Sequence, residues 1–191
     1  MKRLGAAFFD RRTETVAKEL LGKYLTLRTK TATLSGLIVE TEAYHENDPA
    51  SHSYKGKTPR NAPMFGKPGH AYVYFTYGMH WCFNIVTEKD GTAGAVLIRA
   101  VEPVSGIELM KKNRKKKDVY QLTNGPAKFT QAFGITEKYN NMDLINGAIG
   151  IYDERQRMPG SIVRTNRIGI SVAKDDLMRF YVRDNPFVSV K

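Results

Sequence analysis

Residues 71–87 read "AYVYFTYGMHWCFNIVT". Two runs dense in aromatic and β-branched side chains, "AYVYFTY" (71–77) and "WCFNIVT" (81–87), flank the short "GMH". That arrangement predicts a β-hairpin, because such side chains suit a pleated surface and glycine supplies the turn. A third run, "GAVLIRAV" (94–101), follows the turn-rich "EKDGTA", so the three strands are expected to form an antiparallel meander.

Working outward, strands are expected at about 24–29 and 36–43, and again around 148–153, 161–172 and 177–183. "TETVAKELLGKYL" (13–25) predicts a helix with Val16, Ala17, Leu20 and Leu21 on one face, Thr13 as cap and Gly22 as stop. Residues 104–112 read as a helix running into "KKNRKKK" (111–117), a mobile basic loop. "GPAKFTQAF" (125–133) predicts a short helix with Pro126 in its first turn and Gly134 behind it. Residues 45–70, rich in Pro, Gly, Asn and Ser, form a loop long enough to suggest a function. Strands outnumber helices and no internal repeat is present. The fold class is therefore α+β: one domain, 1–191, with a largely antiparallel sheet and short flanking helices.

Composition narrows the partners. The chain is 191 residues long and 41% hydrophobic, enough for one substantial core. No apolar run approaches the roughly 20 residues that span a bilayer, so no membrane partner is expected. The start reads as no signal peptide, since Asp10, Arg11 and Arg12 interrupt its apolar stretch. The single cysteine, Cys82, excludes an intramolecular disulfide and a cysteine-based zinc cluster, and a cytoplasmic or nuclear location is expected. Thirty Lys and Arg against nineteen Asp and Glu give +11, which favours a polyanion such as nucleic acid, although some proteins are simply basic.

Several residues could carry chemistry. In "IVETEAYHENDPASHS" (38–53), Glu40 and Glu42 point the same way on a strand, opposite Leu37, Val39 and Thr41. They are either an exposed face paired with cations or carboxylates that activate water. Tyr72, Tyr74 and Thr76 share one hairpin face, and Val73, Phe75 and Tyr77 the other. Tyr77 and Met79 fall at the turn, where no core is available to them; such side chains can wedge between base steps from the minor groove. Arg99 sits on an otherwise apolar face and needs a carboxylate, Glu40 or Glu42. Asn84 is a polar group in a central strand, which a structural hydrogen bond explains equally well. His45, His52, His70 and His80 cluster within 45–80 but form no H-x-x-x-H pair, so no metal and no cofactor is expected. The start of the helix at 125, with Lys128 beside it, is either a phosphate or DNA-backbone site or an ordinary proline-started helix.

The blocks "FFDRRTETVAKELLGKYL", "VETEAYHENDPASHS", "TPRNAPMFGKPGHAYVYFTYGMHWCFNI", "AVLIRAVEP", "NGPAKFTQAF" and "RFYVRDNPFVSV" resemble, in the same order, those of the animal-type 3-methyladenine (alkyladenine) DNA glycosylase family. The resemblance runs from about Phe8 to the C-terminus. It implies a compact domain with a curved antiparallel sheet and a protruding hairpin. It also implies a monofunctional enzyme, monomeric, that flips a damaged purine out of duplex DNA and hydrolyses its N-glycosidic bond, leaving an abasic site. Carried over by motif, Glu42 is the general base and Arg99 its partner in holding the water. Tyr44, His52 and Tyr74 enclose and stack on the flipped base, and Tyr77 fills the gap in the duplex. Asn84 clashes with the 2-amino group of normal guanine. The glutamates beside an aromatic ring then make sense together, because a leaving purine builds positive charge on the sugar and an alkylated base is itself cationic.

Two other classes compete. A non-enzymatic basic nucleic-acid-binding protein fits the charge and the exposed rings, but gives no reason for Arg99 on an apolar face or carboxylates beside tyrosines. A sugar glycosidase fits the carboxylates and has no use for the charge of +11.

Overall fold

The computed structural model describes residues 1–154 and 160–190. In chain order its elements are β1 (Lys2–Arg3), α1 (Ala6–Phe9), α2 (Thr13–Leu20), β2 (Tyr24–Arg28), β3 (Thr33–His45), β4 (Ala71–Thr76), β5 (His80–Val86), β6 (Gly94–Ser105), α3 (Ile107–Arg114), α4 (Pro126–Phe133), β7 (Ile149–Asp153), β8 (Ile162–Thr165) and β9 (Arg179–Val182). Single 3₁₀ turns occur at Ala62–Phe65, Val119–Gln121 and Glu137–Tyr139. The strands form one antiparallel sheet in the order β1-β7-β2-β3-β6-β5-β4, with β9 pairing both β3 and β8. The α+β class and the meander of the sequence reading are thus present.

β3 is the spine. It is long enough for β2 to pair with Thr33–Leu37 and for β9 to pair with Glu40–Glu42, while β6 pairs along the opposite side. Its middle, Leu34 to Ala43, is consequently buried throughout. One sheet face packs on helices. Val16, Ala17 and Leu20 of α2 are fully buried, and the Thr41 hydroxyl donates to the Ala17 carbonyl at 2.8 Å. Phe129 and Phe133 of α4 are buried too, with Phe129 edge-on to Phe83 at 6.1 Å. Each such aromatic contributes about 3–5 kcal/mol against truncation. The other face of β3, β6, β5 and β4 is left to line a cavity.

Two register shifts lie where that cavity begins. Ile38 pairs with Val101 and Glu40 with Ala100, which leaves Val39 extra on β3; Thr41 then pairs with Ile98, which leaves Arg99 extra on β6. Bulges bend a strand and re-aim the side chain of the extra residue. One bulge on each strand restores the register, so the alternation beyond is undisturbed.

Several boundaries differ from the sequence reading. β3 extends to Thr33 and His45, and Thr13, expected as a cap, is the first residue of α2 and turns its hydroxyl to Glu88. The helix expected from 104 starts at Ile107, because β6 runs on to Ser105 and Gly106, at φ 76°, makes the left-handed break. Within the expected basic loop, Lys111–Arg114 is helical and tied down: the Asn113 amide donates to the Ala132 carbonyl at 2.9 Å, and Arg114 donates to Gln131. The strand expected over 161–172 stops at Thr165. Beyond it the Arg167 side chain turns inward to Asp48 and Gly169 takes φ 77°, so the chain leaves the sheet as an irregular wall. Among the described residues no helix is long and apolar enough to cross a membrane.

Candidate active site

A cavity of about 500 Å³ opens on the helix-free face of the sheet. Its floor is a cross-strand row: Glu42 of β3 faces Leu97 of β6, which faces Asn84 of β5, which faces Tyr72 of β4. Strand alternation puts these four on one side, while Ala43, Val96, Phe83, Ile85 and Val73 go to the core. Ala95 beside Tyr44 is small, which leaves depth above the floor. The walls come from His52 in the long loop, from Tyr74, Thr76 and Tyr77 in the hairpin, and from Ile168–Val172; Pro126, the first residue of α4, closes the rim.

Glu42 is fully buried yet lines the cavity. One carboxylate oxygen lies 3.2 Å from Arg99 Nη1 and accepts the Ile168 backbone N–H at 2.8 Å. The other accepts the Tyr44 hydroxyl at 2.8 Å. Two hydrogen-bond donors and the ion pair with Arg99 thus offset the cost of taking this charge out of water. Arg99 is the hinge between the two glutamates, since its Nε donates to Glu40 Oε1 at 3.1 Å. Burial alone would weaken its hold on its proton, but Glu42 and then Glu40 outweigh that and raise its pKa. Glu40 does not line the cavity; Arg179 and Ser189 hold it from behind.

Four rings stand around the carboxylate. The Tyr44 ring is held at both ends: its hydroxyl is on Glu42, and the Arg167 guanidinium lies 4.7 Å from its centroid. Arg167 is buried, pairs with Asp48 through both terminal nitrogens and donates to the Ala43 carbonyl at 3.0 Å. His52 sits edge-on to Tyr74 at 4.6 Å, and its Nδ1 is 2.9 Å from the Tyr72 hydroxyl. Burial, then the charge of Arg60, pushes the His52 imidazole below its ordinary value, so it is neutral near pH 7. Burial pushes the hydroxyl of Tyr72 up to about 12 and those of Tyr44 and Tyr74 higher still. The site is therefore walled by neutral, electron-rich rings. The Asn84 amide donates to the Tyr72 carbonyl at 3.0 Å, which fixes the orientation of its head group on the floor.

At the hairpin tip the alternation read from sequence fails. Tyr77 was expected on the side of Phe75, away from Tyr72 and Tyr74, yet it lines the same cavity as they do. The strand ends at Thr76, and Tyr77 and Gly78 both take positive φ, 52° and 65°, closed by the Met79 N–H on the Thr76 carbonyl at 3.2 Å. That mirror-type turn swings the ring round. Tyr77 is 80% exposed and Met79 68%, so neither belongs to a core.

The structure brings Glu42, Arg99, Tyr44, His52, Tyr74, Asn84 and Tyr77 to one cavity, with Met79 exposed beside its rim and not lining it. Lys128 stands apart from the lining, and its ammonium donates to Asn124 Oδ1 at 2.9 Å, one turn back at the start of α4. Sequence reasoning missed Arg167, Asp48, Arg179, Ser189 and the Ile168 N–H. Each acts through a contact distant in sequence, and no local pattern announced it. Among the described residues no group of His, Cys, Asp and Glu could hold a metal ion.

A family model described as "Methylpurine-DNA glycosylase (MPG)" matches residues 7–186. A protein of Carboxydothermus hydrogenoformans is 52% identical over 185 residues, which cover 96% of this chain and 97% of that relative. Relatives in Francisella tularensis and Methanoculleus marisnigri are 51% and 48% identical, over 92% and 97% of this chain and 92% and 98% of their own lengths. All three carry the name "Putative 3-methyladenine DNA glycosylase".

Proposed function

The chain belongs to the methylpurine-DNA glycosylase family, and from that premise we propose that it is a DNA-3-methyladenine glycosylase, an N-glycosyl hydrolase that acts in DNA repair on purines flipped out of the duplex. The observation that carries the reading is Glu42: a carboxylate with no exposed surface, paired with Arg99, at the floor of a ring-walled cavity. A cavity of about 500 Å³ falls within the ordinary range for a small-molecule site and suits one base.

In this reading the flipped base lies between Tyr44 on one side and Tyr74 with His52 on the other. An alkylated purine carries positive charge and stacks well on electron-rich rings. Tyr77 fills the space that the base vacates in the duplex, with Met79 beside it. Asn84, its head group fixed on Tyr72, meets the edge of the base and disfavours the 2-amino group of guanine. As the glycosidic bond lengthens, positive charge develops on the sugar, and Glu42 stabilises it. Arg99 and Glu42 together hold a water, which Glu42 deprotonates as it attacks the sugar carbon. No lysine lines the cavity among the described residues, so no amine is at hand to form an imine with the sugar, which supports hydrolysis without strand cleavage. The charge of +11 draws the chain to the phosphate backbone.

The test is direct. Incubated with methylated duplex DNA, the protein releases free 3-methyladenine or 7-methylguanine and leaves intact abasic strands, and Glu42→Gln releases at least about 10²-fold less. Tight binding to the same duplex without any release would favour a non-enzymatic DNA-binding protein.

A further inference from the structure

Glu40 is a second carboxylate with no exposed surface, two residues from Glu42 and outside the cavity. Its Oε1 accepts three donors: Arg99 Nε at 3.1 Å, Arg179 Nε at 2.7 Å and the Ser189 hydroxyl at 2.9 Å. Its Oε2 accepts the Ser189 backbone N–H at 2.7 Å. Arg179 is itself fixed, since its other arm donates to the Val190 carbonyl and its guanidinium lies 4.9 Å from the Tyr181 ring centroid. By backbone register Arg179 faces Glu42, yet its side chain crosses diagonally to Glu40. Arg99 meanwhile stands at the bulge between the two glutamates, donates Nε to Glu40 and sets Nη1 3.2 Å from Glu42 as an ion pair.

The two carboxylates therefore compete for one guanidinium, and the second cation is placed on the outer competitor. We propose that Arg179 and Ser189, reaching in from β9 and the segment after it, are positioning residues: by holding Glu40 they fix how Arg99 is divided between Glu40 and Glu42. With Glu40 satisfied from behind, Arg99 can keep its Nη1 on Glu42. Weaken the hold of Arg179 or Ser189, and Glu40 draws Arg99 toward itself and away from the cavity. Remove the charge of Glu40, and Arg99 passes wholly to Glu42.

These two perturbations have opposite signs, but the lost charge of Glu40 or Arg179 would give those signs through space alone. The neutral Ser189→Ala, which removes a hydrogen bond to Glu40 and no charge, is therefore the variant that reports how Arg99 is divided. A nearby cation favours the ionised form of a carboxylate, and its loss disfavours it. The other groups facing Glu42 are unchanged in both cases: Tyr44 on the same strand, Tyr74 and Cys82 on the hairpin, and Arg167 on the wall.

The inference rests on the reading of Glu42 and Arg99 as the catalytic pair, and the experiment separates the two. Single-turnover excision of 7-methylguanine, whose positive charge persists at acid pH, is measured against pH for the parent, Glu40→Gln, Arg179→Gln, Ser189→Ala and Arg179→Lys. Melting curves establish first which variants are folded at each pH. The acid limb moves to lower pH in Glu40→Gln and to higher pH in Arg179→Gln, each by about one unit. Ser189→Ala, the mildest change, moves it in the same direction as Arg179→Gln and by less, and Arg179→Lys returns it toward the parent. If Arg179→Gln does not fold, Ser189→Ala against Glu40→Gln still gives the two signs. A folded Ser189→Ala whose acid limb stays at the parent's position, or shifts of the same sign in Glu40→Gln and Arg179→Gln, overturn the proposal while Glu42→Gln remains inactive. An active Glu42→Gln overturns the catalytic reading itself.

Discussion

Replacing Tyr77 separates a wedge from a core residue with one mutant. The side chain is 80% exposed, so Tyr77→Ala removes little packing and should change stability by no more than about 0.5 kcal/mol. At this chain length that is a melting shift of about 1–2 °C. A buried tyrosine would instead cost about 3–5 kcal/mol, or upwards of 6 °C. The backbone adds a second sign. Tyr77 holds φ at 52°, a left-handed conformation that costs an L-residue about 1–2 kcal/mol. Glycine escapes that cost but loses about 0.5–1 kcal/mol more chain entropy on folding, so Tyr77→Gly should be as stable as the parent or slightly more so.

Function should move the other way. A ring stacked in the duplex contributes about 1–3 kcal/mol, so either variant should lose about 10- to 100-fold in excision from duplex DNA. Single-stranded DNA has no gap to fill, and excision from it should change little. The assay is a melting curve together with single-turnover excision from matched duplex and single-stranded substrates. A melting drop above about 6 °C with unchanged duplex excision per folded molecule would refute the wedge.

Other expectations are simpler to state. Glu42→Gln should bind methylated or abasic duplex as the parent does, while its single-turnover excision falls at least about 10²-fold. Arg167→Leu strands the buried Asp48 carboxylate without its partner and should cost about 3–5 kcal/mol in denaturant unfolding; restored stability in the double variant Asp48→Asn, Arg167→Leu would identify the unpaired charge as the cause. DNA affinity should fall with salt at a log–log slope of about −5, if roughly six phosphates are contacted, and neutralising the lysines of 111–117 should weaken damaged and undamaged duplexes alike. A flat salt dependence would argue against a DNA partner.

The meander was legible because each strand carries its own signal: aromatic and β-branched runs, two-residue alternation, and a glycine at every turn. Alternation also put Glu42 with Tyr44 on one side of their strand and Tyr72 with Tyr74 on one side of theirs, and all four line the cavity. The failures share a cause. The bulge that re-aims Arg99 is a mismatch between β3 and β6, strands nearly sixty residues apart, and neither sequence marks it alone. Arg167 and Arg179 are two among thirty basic residues, and only the fold shows that they turn inward. The turn at Tyr77 was visible as a turn, but its mirror-type geometry was not, since Tyr-Gly lacks the Asn or Asp that usually announces two left-handed residues. A local rule broken at the tip of a hairpin, without any packing gained, is what function at that tip would require.

The buried charged groups among the described residues are Glu40, Glu42 and Asp48 against Arg99, Arg167 and Arg179. They cancel, so the excess of +11 lies outside this set. That division assigns two tasks to two environments. Attraction to a phosphate backbone acts over distance through water and fades beyond about 8 Å at physiological salt. The pairing of Glu42 with Arg99 acts at 3.2 Å between two buried side chains, where salt screens far less. A cavity sharing the surface's positive excess would repel both a cationic base and a sugar gaining positive charge. A surface sharing the cavity's balance would not gather DNA at all. Salt should therefore change how much substrate is bound and leave the rate of the bound complex nearly untouched, because the charges that bind and the charges that react are held apart by the fold.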